Sequence, residues 1–135
     1  MATKIFVNLP VRDLDKSKAF FTGLGFSFNQ QFTDEKAGCM VISDNIFAML
    51  LTEAYFQTFT KKAVSDAKTA TEVLIALDVD SKEEVQQLIA KAESAGATVY
   101  NQAQDHGWMY QHSFADLDGH QWELIYMDPS QIPNC

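Results

Sequence analysis

This chain of 135 residues has little cysteine, few basic side chains and no long apolar run. Its two cysteines are Cys39 and Cys135, the latter at the very last position. Such a pair makes no disulfide framework, so a reducing, cytoplasmic setting is expected. No apolar stretch approaches the ~20 residues of a membrane-spanning helix, so no membrane partner is expected. Met1-Ala-Thr-Lys4 runs directly into a strand pattern, and no secretory leader is expected from it. Ten basic against eighteen acidic residues leave a net charge of -8, with no basic stripe. Nucleic acid and anionic membranes are therefore poor partners. A Gly-rich phosphate loop, a Cys-x-x-Cys pair and a Ser-His-Asp arrangement are also missing, which removes the chemistry that depends on them.

What is present is apolar alternation, and it occurs twice. Ile5, Val7, Leu9 and Val11 alternate with Phe6, Asn8 and Pro10, the signature of a half-buried strand. Asp13 or Asp15 caps a short helix with Phe20, Phe21 and Leu24 on its apolar face. A strand beginning at Phe26, Phe28 and Gln30 follows, then strands over 38–43 and 46–52 joined at Asp44-Asn45. The opening pattern returns 68 residues later as Val73, Ile75, Leu77 and Val79. Ser81 and Glu84 form a capping box for a helix whose buried face is Val85, Leu88, Ile89 and Ala92. Strands over 98–102, 108–115 and 121–127 complete the repeat. Between the halves, Tyr55, Phe56 and Phe59 tie down a helical or irregular connector. The expectation is an α+β fold of two tandem βαβββ modules, 4–52 and 72–127, with 53–71 as connector, forming one domain over 1–135. The two sheets make a cupped surface with the helices outside.

His112-Ser-Phe-Ala-Asp-Leu-Asp-Gly-His-Gln-Trp-Glu-Leu-Ile-Tyr126 organises the second half. Asp116-Leu-Asp-Gly119 supplies turn chemistry. With Asp116 to His120 as the loop, Ser113 faces Glu123 and Phe114 faces Trp122, and cross-strand partners share a sheet face. Parity then puts Ile5, Val7, Leu9, Val73, Ile75, Leu77, Trp122 and Leu124 toward the helices. Phe6, Asn8, Leu74, Ala76, Asp78, Ser113, Glu123 and Ile125 fall in the cup. Glu123 is the candidate base or polar anchor, because a carboxylate with apolar neighbours on a strand needs a purpose. The same residue has a plainer reading as a carboxylate hydrogen-bonded to Ser113 or Asn8. His106 and Trp108 open a strand at the expected rim and are candidates to close over a ligand. His112 falls opposite Leu124 and reads as structural, and His120 as a turn residue. Cys39 reads as a small buried side chain.

Val11-Arg-Asp-Leu14, Ala19-Phe-Phe-Thr-Gly-Leu-Gly-Phe26 and Asp116-Leu-Asp-Gly-His-Gln-Trp-Glu123 resemble the vicinal oxygen chelate superfamily. It includes glyoxalase I, extradiol dioxygenases, fosfomycin-resistance enzymes and bleomycin-binding resistance proteins. The resemblance covers the whole chain and is nearest to the group described as predicted lactoylglutathione lyases. It implies a metal held by the first and last strands of each module. Those positions here are Phe6, Leu74, Met49 or Leu50, and Glu123, of which only Glu123 is a ligand for a hard or borderline ion. The expectation is thus a bleomycin-resistance-like protein without metal or other cofactor. It would hold a largely apolar or aromatic molecule with Glu123 and Asn8 as polar anchors and Phe6, Leu74, His106, Trp108, Ser113 and Ile125 around it. One alternative is a lyase or isomerase acting on a glutathione hemithioacetal, with zinc, nickel, manganese or iron held by residues such as Glu53 or His106 or by a dimer mate. Another is a metal-free enzyme with Glu123 as general base. The resemblance also implies a homodimer.

Overall fold

The computed structural model describes residues 1–131; the expectation concerning Cys135 lies outside them. The chain divides into two compact units, the first ending at Ser65 and the second beginning at Asp66. Among the described residues no helix is long and apolar enough to cross a membrane.

The first unit runs β1 (Ile5–Val11), α1 (Leu14–Leu24), β2 (Ser27–Phe28), a 3-10 turn (Gln30–Phe32), β3 (Ala37–Ser43), β4 (Ile46–Thr52) and α2 (Glu53–Gln57). Its sheet has the order β1-β4-β3-β2. β1 lies parallel to β4, and β3 antiparallel to it. Asp13 caps α1 by accepting from the Lys16 amide at 3.1 Å. Leu9, Met40, Ala48 and Leu50 share the sheet face on which α1 packs and are buried. Gly38 belongs to that face: a Cβ there would touch Leu14 and Phe28.

The second unit repeats the plan with β5 (Leu74–Asp78), α3 (Lys82–Ser94), β6 (Gln104–Asp105), β7 (Met109–Ala115) and β8 (Gln121–Met127). Its sheet order is β5-β8-β7-β6. α3 packs on β7 and β8 and buries Val85, Ile89 and Ala92 on the side of Phe114, Trp122 and Leu124. Ser81 accepts from the Glu84 amide at 3.0 Å, while Glu84 reaches the amide of Asp80, one residue before the cap. Equivalent pairings confirm the repeat: Phe6 pairs with Phe47 as Leu74 does with Gln121, and Asn8 with Met49 as Ala76 does with Glu123.

Several expectations need correction. The strand expected over 98–102 is a single bridge, Thr98 to Ala115, and the short strand sits at Gln104–Asp105 instead. The Asn101 carbonyl meets the His112 ring at 3.0 Å, so a side chain takes the place of a ladder partner there. The second strand stops at Phe28, because the Asn29 side chain accepts from the Gln31 amide and coils the chain into the 3-10 turn. Ile5 and Val73, expected on the helix side, remain 54% and 52% exposed at the strand beginnings. Tyr55 and Phe56 are half-buried as anchors should be, but Phe59 is 68% exposed.

Gly119 shows how tightly the second unit closes. It has φ 92°, and a Cβ there would lie 2.7 Å from the Lys68 nitrogen and 2.8 Å from the Ala67 carbonyl carbon. Both the positive φ and the neighbouring backbone exclude a side chain. Gly25 also has positive φ, 109°, but open space around it. Gly25→Ala is expected to cost about 1 kcal/mol and Gly119→Ala more than about 2 kcal/mol, because backbone cannot move aside as a side chain can. Urea melts of both variants check this, and equal losses would show that the approach of 67–68 to the turn is not constraining.

Candidate functional site

The turn from Asp116 to His120 sets the register of the β7–β8 hairpin. One Asp116 oxygen accepts from the amides of Asp118 and His120, at 3.0 Å each. The other accepts from the Trp122 indole Nε1 at 3.0 Å. The Asp116 amide in turn donates to the His120 carbonyl at 2.9 Å. The carboxylate therefore satisfies donors on both sides of the turn and ties the large buried ring of the next strand to it. Burial pushes the Asp116 carboxyl up, against the opposing pull of His120 and of the hydrogen bonds from Trp122 and Asp118.

With the register set, Ser113 pairs with Glu123 and Phe114 with Trp122. Trp122 is buried on the α3 side. Glu123 is on the opposite face, half-buried, flanked by Ala76 of β5 and the buried Ser113 of β7. Leu74, Asp78 and Ile125 share that face by parity, and Leu74 is 56% exposed. His106 and Trp108 lie in the β6–β7 turn, beyond Met109, which is four residues from Ser113 along β7. At ~3.3 Å per residue that end is on the order of 13 Å from the Ser113–Glu123 pair, so these residues flank the face and do not touch its centre. Nearby, Asp105 accepts from the Lys82 ammonium at 2.9 Å; that hydrogen bond, with one from the Gly107 amide, holds the Asp105 carboxyl low.

The corresponding face of the first unit carries Phe6 and Asn8. Phe6 stacks on Phe47 with centroids 4.9 Å apart and planes 12° from parallel. Asn8 pairs with Met49, which pairs with the buried Cys39; burial raises the Cys39 thiol. Asn8 also lines a cavity of about 320 Å³ with Leu51, Phe56, Phe59 and Thr60. Sequence reading missed this cavity, since it treated the three connector aromatics as anchors; their spacing after an apolar strand was the available signal. A larger cavity of about 510 Å³ in the second unit lies between the 67–71 segment, Thr98, Tyr100 and the 115–121 turn. No sequence pattern announced that one.

The repeat settles which first-unit residue corresponds to Glu123: Asn8 pairs with Met49 as Ala76 pairs with Glu123, so it is Met49 and not Leu50. The four positions that the resemblance implies for metal ligands are thus Phe6, Met49, Leu74 and Glu123. One carboxylate, one thioether and two hydrocarbons do not fit a hard or borderline divalent ion. Among the described residues no group of three or more His, Cys, Asp or Glu side chains is placed to hold a metal ion.

Residues 3–43 match a family model described as bleomycin resistance protein-like N-terminal. A solved hypothetical protein from S. aureus is 31% identical, with 93% of this chain and 94% of that one covered, at a TM-score of 0.80. A glyoxalase-related enzyme from Fulvimarina pelagi is 20% identical over 93% of this chain and 88% of that one, at 0.79. A glyoxalase/bleomycin resistance protein/dioxygenase family enzyme from Burkholderia phytofirmans is 19% identical over 90% and 96%, at 0.75. No curated protein matches the chain.

The Asp116 network has a pH signature. A raised carboxyl binds its proton better in the folded state than in the unfolded one. Its contribution is full below the unfolded value of ~3.9 and is lost as pH rises through the raised folded value. Asp116→Asn removes that dependence and leaves a buried donor facing a donor, at a cost of about 1–3 kcal/mol. The wild-type advantage over Asp116→Asn is expected to be larger at pH 4 than at pH 7. Melts of both proteins across that range check it, and an advantage growing with pH would contradict it.

Proposed function

This chain belongs to the same family as the S. aureus protein and has the glyoxalase/bleomycin resistance/dioxygenase fold, and with that as premise we propose that it binds a small, largely apolar or aromatic molecule without a metal. The observation that carries this reading is the set of side chains at the four metal positions, where only Glu123 offers a suitable donor. What remains on each sheet face is suited to contact with an organic molecule. Phe6 and Leu74 give exposed apolar contact area. Asn8 and Glu123 give hydrogen-bonding groups, each on a strand of its own sheet. Ser113 stands beside Glu123 to orient it or to share its ligand, and Ile125 walls the same face. His106 and Trp108 serve as flanking contacts at the end of that sheet. The match of residues 3–43 to a family model described as bleomycin resistance protein-like supports a binding role.

A half-buried carboxylate without a paired base best serves a ligand that carries a hydrogen-bond donor or a positive charge. Assembly is part of the reading. β1 and β5 are edge strands of their sheets, and Ile5, Phe6, Val73 and Leu74 on or beside them are exposed. Edges of this kind invite pairing, and a second copy of this chain is the proposed partner.

Titration with the cationic aromatic dye proflavine tests the assignment of Glu123. Loss of one charge-assisted hydrogen bond is expected to weaken binding roughly tenfold or more in Glu123→Gln, with the melting temperature unchanged or higher. A variant that melts several degrees lower and binds normally would make Glu123 structural. Hemithioacetal isomerisation stimulated by added zinc or nickel would instead support the lyase reading. Sedimentation velocity is expected to show a particle of twice the chain mass at micromolar concentration, and a monomer there would remove the homodimer.

A further inference from the structure

The cavity in the first unit carries more detail than a general apolar site requires. Its floor is the sheet, with Asn8 and the buried Leu51, and its wall is Phe56, Phe59 and Thr60 from α2 and the residues after it. That wall is held in place by its own bonds. Thr58 and Phe59 amides donate to the carbonyls of Tyr55 and Phe56 at 3.0 Å each. The Gln57 side chain donates to the carbonyls of Thr60 and Lys62, at 3.1 and 2.8 Å. Tyr55 meets Phe59 edge-on at 5.0 Å and 77°, and Lys36 lies over the Tyr55 ring at 5.8 Å. Phe59 is therefore a large exposed ring with one edge-on aromatic neighbour, on which a second ring can stack.

Asn8 supplies the polar element. It sits mid-strand on a sheet face that also carries Phe6, Phe47, Met49 and Leu51. A carboxamide has both donors and an acceptor, and its natural complement is another planar donor–acceptor pair. The volume, about 320 Å³, is at the lower end for small-molecule sites, enough for one ring with a short substituent.

We infer that this cavity is a selective subsite for a planar, single-ring aromatic molecule bearing a neutral amide or equivalent donor–acceptor group, with Asn8 reading the polar group and Phe56 and Phe59 the ring. The inference rests on the reading of this chain as a small-molecule binder, though not on Glu123.

Benzamide is the probe, with cyclohexanecarboxamide and toluene as the non-aromatic and apolar controls. NMR titration of the labelled full chain follows the Asn8 side-chain amide and the Leu51 methyls. Benzamide is expected to shift both sets saturably and to bind at least about tenfold tighter than either control. Asn8→Leu should erase the preference over toluene, and Phe59→Ala the preference over cyclohexanecarboxamide, with Phe59→Leu between. Shifts elsewhere, or equal affinity for all three probes, would overturn the inference. Proflavine binding that depends on Glu123, without a benzamide shift at Asn8, would overturn this subsite alone. Benzamide selectivity without proflavine binding would support the subsite and overturn the Glu123 assignment.

Discussion

The second unit depends on one buried carboxylate. Asp116 gathers two backbone amides and the Trp122 indole, and thereby decides which residue of β8 follows the turn in which orientation. A strand has a side-chain period of two, so a slip of one residue would exchange its faces. Trp122 and Leu124 would leave the α3 side and Glu123 would enter a core with no charge to meet it. The position of the candidate functional carboxylate is therefore a consequence of a structural one seven residues earlier. Gly119 belongs to the same device, since it lets residues 67–68 close against the turn with no side chain between.

The two units share a plan and differ in what they offer. The repeat puts Met49 where the second unit has Glu123, Asn8 where it has Ala76, and Cys39 where it has Ser113. The faces away from the helices thus differ in their polar groups: a neutral amide, Asn8, in the first, and Asp78, Ser113 and Glu123 in the second. Phe6, Met49, Leu74 and Glu123 are poorly matched to a divalent metal, since only Glu123 brings a suitable donor. α2 and the residues after it add to the difference, because Phe56 and Phe59 build a walled cavity beside Asn8.

The elements legible from sequence were those set by local periodicity. Alternation over Ile5–Val11 and again 68 residues on announced both first strands, and Asp116-Leu-Asp-Gly119 announced the hairpin with its full register. The stretch after Thr98 was misread because a β-like pattern says nothing about whether a partner is within reach; there the His112 ring takes the Asn101 carbonyl. The strand at Phe26 was overextended because Asn29 turns the chain with its side chain, a local competitor that apolar patterning does not register. Within the candidate site, Glu123 opposite Ser113 followed from turn length alone. The Phe56–Phe59 wall did not, since an aromatic at helical spacing serves equally as an anchor or as an exposed surface, and only the chain's path decides.

We propose that this chain holds a small organic molecule and no metal. Native mass spectrometry of protein purified without chelators, paired with elemental analysis of the same sample, tests it most directly. The account predicts a retained or readily added small organic mass and no stoichiometric divalent metal. One metal equivalent per chain, lost together with the bound organic mass on chelation, would contradict it.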